Sequence, residues 1–92
     1  MATVEQVAAA FAAGGNTKCG NASTDGSTGT YTLHKTVIAR KQAGGGLALN
    51  WGGFYTPTTA SHMNAVLKAM GYKDRVSYAQ ARDRRDTVVL FA

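Results

Sequence analysis

Groups that catalyse reactions or hold metals are scarce in this sequence. The chain has 92 residues, with one cysteine, one glutamate, four aspartates and two histidines. A single cysteine excludes an intramolecular disulfide. Cys19, His34 and His62 lack the ligand spacing of a zinc site. The aspartates fall in predicted turns or after a helix, where this residue commonly bonds its own backbone. We therefore expect a protein with no enzymatic activity, no cofactor and no metal.

Long apolar runs and secretory features are also lacking. The longest apolar run, Val7 to Ala13, is far shorter than the roughly 20 residues that a membrane-spanning helix needs. The N-terminus has no basic stretch that leads into a long apolar segment, as a signal peptide would. These features predict a single domain over residues 1–92, no membrane span and a location in a reducing cytoplasm.

Positive charge is the main feature of the composition. Ten basic residues oppose five acidic ones, which gives a net charge of +5. The stretch from Gly26 to Lys73 holds five basic residues and no acid. Such a balance favours an anionic partner, because arginine forks pair with phosphates and carboxylates. The alternative is that these are solvated loop charges. The predicted contact residues are Lys35, Arg40, Lys41, Tyr55, Arg82, Arg84 and Arg85.

Apolar spacing and turn residues predict an α+β fold. The segment from Gly14 to Gly29 is rich in small polar residues and is expected to be a long loop. Two helices should cover one face of an antiparallel sheet of about five strands, in the order α-β-β-β-α-β-β. We expect the last strand to be central in this sheet. The predicted helices are 4–13 and about 59–70, and the predicted strands are 30–34, 36–40, 47–51, 75–82 and 87–91.

The uncovered face of the sheet is the predicted interaction surface. An antiparallel sheet can present one face to solvent or to a partner. Thr32, His34, Ile38 and Arg40 are expected to line this face. Among the aromatic residues, Trp51 and Phe54 are expected in the core, while Tyr55 is expected to be an exposed contact. Tyr72 is expected to make the apolar contact that accompanies a helix cap at Gly71, and His62 is either solvent-facing or a contact residue.

Several short segments are similar to those of small phage proteins. They are Asn21-Ala22-Ser23-Thr24-Asp25-Gly26, Tyr31-x-Leu33-His34, Val37-Ile38-Ala39, Leu49-Asn50-Trp51-Gly52-Gly53 and Thr58-Thr59 before a helix that contains His62 and Asn64. Together they cover roughly residues 21 to 67. The chain resembles phage-encoded anti-CRISPR inhibitors of type I systems, and most of all the small type I-F inhibitors. These motifs are turn and strand patterns rather than catalytic signatures.

The resemblance implies a monomeric inhibitor that acts by binding in the host cytoplasm. Its partner would be the surveillance complex, through protein subunits and guide RNA, and the result would be blocked target DNA. The positive charge argues against imitation of DNA. The alternative function is direct binding of single-stranded nucleic acid by a small basic phage protein. A small nuclease that works through His34 or His62, and a virion assembly protein, rank behind these two.

Overall fold

The structure is a computed structural model that describes residues 4–42, 44–53, 55–85 and 88–91. In these residues the chain forms three helices and one antiparallel sheet of six strands. The α+β class predicted from the sequence is confirmed. The elements in chain order are α1 (Val4–Ala13), β1 (Thr17–Cys19), β2 (Ala22–Asp25), β3 (Thr30–Leu33), β4 (Thr36–Lys41), β5 (Leu47–Asn50), α2 (Pro57–Ala69), α3 (Tyr78–Arg84) and β6 (Val88–Phe91).

The sheet is a meander in which every strand pairs with its neighbours in sequence, in the order β1-β2-β3-β4-β5-β6. Strand β6 pairs with β5 after the chain has passed through α2 and α3. It therefore lies at an edge of the sheet, and the prediction that it is central was wrong. Its apolar residues explain the error. Val88 to Phe91 are all apolar, which is typical of a strand buried on both faces, but alternate residues of this strand are exposed.

The predicted long loop between Gly14 and Gly29 contains the hairpin β1–β2 instead. Its strands are short and mostly polar, so no apolar alternation marks them in the sequence. The Thr24 hydroxyl fixes the hairpin to the end of α1, since it donates to the Gly15 carbonyl at 2.8 Å and accepts from the Thr17 amide at 3.0 Å. Strand pairing and these bonds stabilise the hairpin in place of a large apolar face.

The predicted strand over 75–82 is also wrong, because this segment holds helix α3. Val76 and Tyr78 alternate as they would in a strand, but the residues that follow them favour a helix. Ala81 turns inward and is buried. Arg85 then adopts a left-handed conformation with φ of 56° and ends the helix.

The core lies between one face of the sheet and helices α1 and α2, which pack against each other. Trp51 is fully buried with Leu47 and Leu49, as the sequence predicts. Ile38 was expected on the uncovered face, but it is buried. A β-bulge between β3 and β4 causes this, because the pairing shifts at Tyr31 and Thr32 and turns Ile38 inward. Phe54, which was also expected in the core, lies outside the described residues.

Helix α2 has a marked beginning and end. The Thr56 hydroxyl accepts a hydrogen bond from the Thr59 amide at 3.2 Å, and Pro57 occupies the first helical position. At the other end Gly71 has a φ of 86°, and the Tyr72 amide bonds the Leu67 carbonyl at 2.9 Å. The Tyr72 ring packs on Phe91 with 5.6 Å between ring centroids. This ring contact joins the end of α2 to β6, and the apolar contact predicted for Tyr72 within the helix cap stays a prediction.

Candidate binding surface

One face of the sheet is left uncovered by α1 and α2, and strand register defines its residues. Successive partners across the strands point to the same face of a sheet. One row runs across five strands and consists of Asp25, Thr30, Arg40, Ala48 and Leu90. A second row consists of Lys18, Ser23, Thr32 and Val37. Asn50 and Val88 form a further pair. We call these residues the open sheet face.

An apolar strip lies on the open sheet face beside strand β6. Val88 is 53% exposed and Leu90 is 71% exposed, and these are the large apolar side chains that stand out in solvent among the described residues. They border a shallow depression together with Val37, Ala48 and Arg40. Because β6 is an edge strand, its outer backbone groups are available for pairing as well. Exposed apolar side chains next to an unpaired edge are typical of a protein contact surface.

Positive side chains lie along the same face. Lys35, in the turn between β3 and β4, borders a second depression with Lys18. Arg40 is exposed in the middle of the face. The acid in these rows is Asp25, whose carboxylate accepts hydrogen bonds from the Ser27 hydroxyl at 2.6 Å and the Ser27 amide at 2.9 Å. These bonds hold the pKa of Asp25 below its usual value, so the carboxylate is charged and locally bonded.

The structure keeps part of the predicted contact set together and separates the rest. Arg40 and Thr32 lie on the open sheet face, and Lys35 borders it in the turn beside Lys18. His34 was expected on this face as well, but it borders a depression with Leu33 and Ile38 on the covered side. Lys18 was missed, because it lies in the segment interpreted as a loop. The hairpin is short and polar, so the sequence has no apolar pattern from which its register, and with it the position of Lys18 beside Lys35, could be predicted.

Lys41 lies on the opposite face of the sheet. Its Nζ donates to the Ala12 carbonyl at 3.1 Å, near the end of helix α1. The same Nζ lies 5.3 Å from the centre of the Phe11 ring, which is within cation–π range. This side chain therefore connects β4 to α1, and we leave it out of the binding surface.

Tyr55 is half-buried rather than fully exposed, because its ring packs near Trp51 with 5.6 Å between centroids. The arginines of α3 are also apart from Lys35 and Arg40. Helix α3 contacts α2 and contributes Ala81 to the core, so it lies on the covered side of the sheet. Arg82, Arg84 and Arg85 are exposed there. The basic residues thus form two separate groups instead of one cluster.

The two histidines lie in different environments. His34 is exposed in the turn after β3. His62 is buried in α2, and burial lowers its pKa, so the ring is neutral near pH 7. Its Nδ1 is hydrogen-bonded to the Tyr31 hydroxyl. The solvent-facing or contact role predicted for His62 is therefore wrong. Within the described residues no group of three or more His, Cys, Asp or Glu side chains is placed to hold a metal ion.

Comparison with known proteins gives one family. Residues 2–83 match the family described as Kyanoviridae Gp96 protein. The chain belongs to this family. Gp96 is a phage protein family, so the phage origin implied by the resemblance is shown. The family description names no activity. No curated protein and no solved structure matches the chain significantly. In the part of this Gp96 chain that the structure describes, no helix has the length and apolar character needed to cross a bilayer.

Proposed function

We propose that this phage protein acts by binding, and that its open sheet face contacts an acidic region of a host protein. The observation that carries the proposal is the combination, on one uncovered face, of the exposed Val88 and Leu90 with Lys18, Lys35 and Arg40. Apolar side chains supply contact area, and cations around them favour a partner with exposed carboxylates.

A protein partner fits this face better than a single-stranded nucleic acid. Proteins that bind single strands stack bases on exposed aromatic rings beside cations. Among the described residues the rows of the open sheet face hold no aromatic side chain. Phe11, Tyr31 and Trp51 are buried in the core on the other side of the sheet. Aliphatic Val88 and Leu90 would give little to a base, whereas they suit an apolar patch on a protein.

The surveillance complex of a type I-F CRISPR system is the specific partner that we propose. Support for it comes from the resemblance of residues 21–67 and from the phage family. The open sheet face would bind an acidic patch on a protein subunit. A rigid sheet placed there would obstruct target DNA by steric exclusion, with guide RNA phosphates as additional contacts for Lys35 or Arg40.

The test is co-purification of the tagged protein with the guide-loaded complex, followed by a target-DNA binding assay. We expect capture of the complex and loss of DNA binding. Arg40→Glu should weaken capture at least tenfold by charge reversal at the contact. Arg82→Glu is the matched control, because this arginine is 63% exposed on the covered side and the charge change is the same. It should retain capture.

Two outcomes would contradict the proposal. Equal weakening by Arg40→Glu and Arg82→Glu would mean that net charge, and not the open sheet face, governs binding. Failure to capture the complex, together with salt-sensitive binding to free oligonucleotides, would favour the alternative of a nucleic-acid-binding protein.

A further inference from the structure

The outer edge of strand β6 is not paired. Its neighbour is β5, and among the described residues no other segment forms a backbone hydrogen bond with Val88 to Phe91. Proteins commonly protect such an edge with a charged side chain, because an unpaired strand can pair with another chain. The opposite edge of the sheet, β1, has Lys18 at its centre. Strand β6 is entirely apolar and has no such protection.

The hydrogen bonds between β4 and β5 show how the backbone of β5 is oriented. In an antiparallel pair, successive residues of a strand direct their N–H and C=O groups to opposite sides. The Gln42 amide bonds the Gly46 carbonyl at 3.1 Å, next to the paired part of β4 and β5. Ala48 lies two residues after Gly46 and bonds toward β4 for the same reason. Leu49 therefore directs its backbone groups toward β6.

The same alternation continues into β6. Leu49 is paired with Val89. Because Leu49 bonds toward β6, Val89 bonds back toward β5, and the backbone groups of Val88 and Leu90 point to the free edge. The side chains of Val88 and Leu90 are the exposed ones of this strand. The same two residues thus offer unpaired backbone groups and apolar side chains to a neighbouring strand.

This edge is complementary to the edge of a second copy. Antiparallel pairing around a two-fold axis at Val89 sets Val88 of each copy opposite Leu90 of the other. Both pairs lie in bonding positions, so all outward-pointing backbone groups of Val88 and Leu90 find partners. Each pair also brings apolar side chains together. With the axis at Leu90 instead, only the outward groups of Leu90 would be paired among the described residues.

The distribution of charge also favours a second copy over an acidic strand of another protein. Strand β6 carries no charged side chain, and β5 separates it from Arg40. An acidic strand would therefore meet no cation on the edge strand itself. Each copy has a net charge of +5, but its lysine on the open sheet face, Lys18, lies at the opposite edge of the sheet. The apolar β6 of a second copy fits this edge without an unpaired charge.

We propose that two copies of this chain associate through β6 and form one continuous antiparallel sheet. A two-fold axis perpendicular to the sheet keeps the open sheet faces of both copies on the same side. Val88 and Leu90 of the two copies then lie at the centre of the joined surface. The dimer does not depend on the proposed partner, and it differs from the monomer that the resemblance implies. The contact involves short strands, so we expect a Kd on the order of 100 µM.

Sedimentation equilibrium of the full chain tests the dimer. We expect the mass of one chain at about 5 µM protein and a rise toward twice that mass at about 500 µM. Leu90→Lys places a charge at the edge and should raise the Kd at least about tenfold. Leu90 is 71% exposed, so this variant should keep the fold and the far-UV circular dichroism of the wild type. Ser61→Lys is the matched control, because it adds the same charge at an exposed position of α2, and it should dimerise as the wild type does.

Three results would overturn the proposal. The first is a monomer at both concentrations. The second is an equal Kd for Leu90→Lys and Ser61→Lys, which would mean that the edge of β6 does not govern association. The third is a mass that rises beyond two copies, because pairing through β6 closes at a dimer.

Cysteine cross-linking tests the register in a background in which Cys19, the free cysteine, is replaced by serine. Val89→Cys should form a disulfide between copies, because the Cα atoms of the two residues at the axis would lie roughly 4.5 Å apart. Leu90→Cys should not, since its counterpart in the second copy is a diagonal neighbour at about 7–8 Å. Failure of Val89→Cys to cross-link under oxidation, or equal cross-linking of the two variants, would overturn the proposed pairing.

Discussion

The Tyr31 hydroxyl is hydrogen-bonded to Nδ1 of His62, and this bond joins strand β3 to helix α2 across the core. The two rings meet edge to face with centroids 5.7 Å apart. Burial raises the pKa of Tyr31 and lowers the pKa of His62, so the phenol keeps its proton and the imidazole is neutral. This is a buried polar contact whose partners satisfy each other.

The stability of the protein should therefore fall as the pH is lowered through the range of histidine titration. An unfolded histidine titrates near 6.5, and the pKa of folded His62 is lower. As the pH falls through 6.5 toward the folded pKa, the unfolded chain takes up a proton that the folded protein does not. Urea unfolding should give a lower free energy of unfolding at pH 5 than at pH 8.

Two variants, each with glutamine in place of one histidine, test whether His62 causes this pH dependence of stability. His62→Gln should flatten the change between pH 8 and pH 5, because the buried titrating group is gone. His34→Gln should keep most of it, since burial is the larger cause of the lowered pKa of His62 and the charge of His34 is the smaller one. A profile that is unchanged in His62→Gln would show that another group is responsible.

Lys41 should contribute to stability where Lys35 does not. Lys41→Ala removes the hydrogen bond to the Ala12 carbonyl and the contact with the Phe11 ring. The expected loss is about 1 kcal/mol in the free energy of unfolding. Lys35→Ala makes the same change at an exposed turn and should alter stability by less than about 0.5 kcal/mol. Equal losses in the two variants, measured by denaturant titration, would contradict the structural role of Lys41.

The contrast between Lys41 and Lys35 also shows where sequence reasoning is strong and where it ends. Apolar periodicity correctly predicts helices α1 and α2, the strands around Tyr31 and Leu49, and the buried Trp51. Alternation along β4 places the neighbours Arg40 and Lys41 on opposite faces, but it does not show that Lys41 bonds the Ala12 carbonyl. The β-bulge in β4 moves Ile38 to the covered face. No residue in the sequence predicts this bulge.

Tertiary contacts decide the elements that the sequence analysis missed. Strands β1 and β2 have few apolar residues, and they are held by pairing and by the Thr24 hydroxyl. Helix α3 is short and has one buried residue, Ala81. The hairpin therefore depends on pairing rather than on an apolar pattern, whereas α3 follows the helix-forming residues after Tyr78. The candidate surface could be predicted only where its residues lie on strands that the sequence pattern reveals. Arg40 and Thr32 lie on recognisable strands, whereas Lys18 lies on a hairpin without a pattern.

Gly26 should be intolerant of any side chain. A Cβ atom at this position would lie 1.9 Å from the Gly14 carbonyl oxygen, and the Gly26 amide bonds the Asn16 Oδ1 at 2.6 Å. Gly26→Ala would force the turn after β2 away from the end of α1. We expect a loss of about 1–3 kcal/mol in the free energy of unfolding, typical of overpacking.

Gly15→Ala is the matched control for Gly26. A Cβ atom there would meet Ala10 atoms at 3.6 Å or more, which is ordinary contact, and its backbone does not need positive φ. Its stability should change by less than about 1 kcal/mol, in the direction of a slight gain, because alanine restricts the unfolded chain. If Gly26→Ala were as stable as Gly15→Ala, this result would contradict the close approach of Gly26 to the Gly14 backbone.

Alanine substitutions at Leu90 and Leu49 distinguish the open sheet face from the core by their effects on stability. They lie on adjacent strands but face opposite sides of the sheet, since Leu90 is 71% exposed and Leu49 is fully buried. Leu49→Ala should cost about 2–5 kcal/mol through lost burial and a residual cavity. Leu90→Ala should change stability by less than about 0.5 kcal/mol. Chemical unfolding of the two variants measures this difference. If Leu90→Ala proved as destabilising as Leu49→Ala, Leu90 would belong to the core, and a binding defect in that variant could no longer be attributed to a lost partner contact.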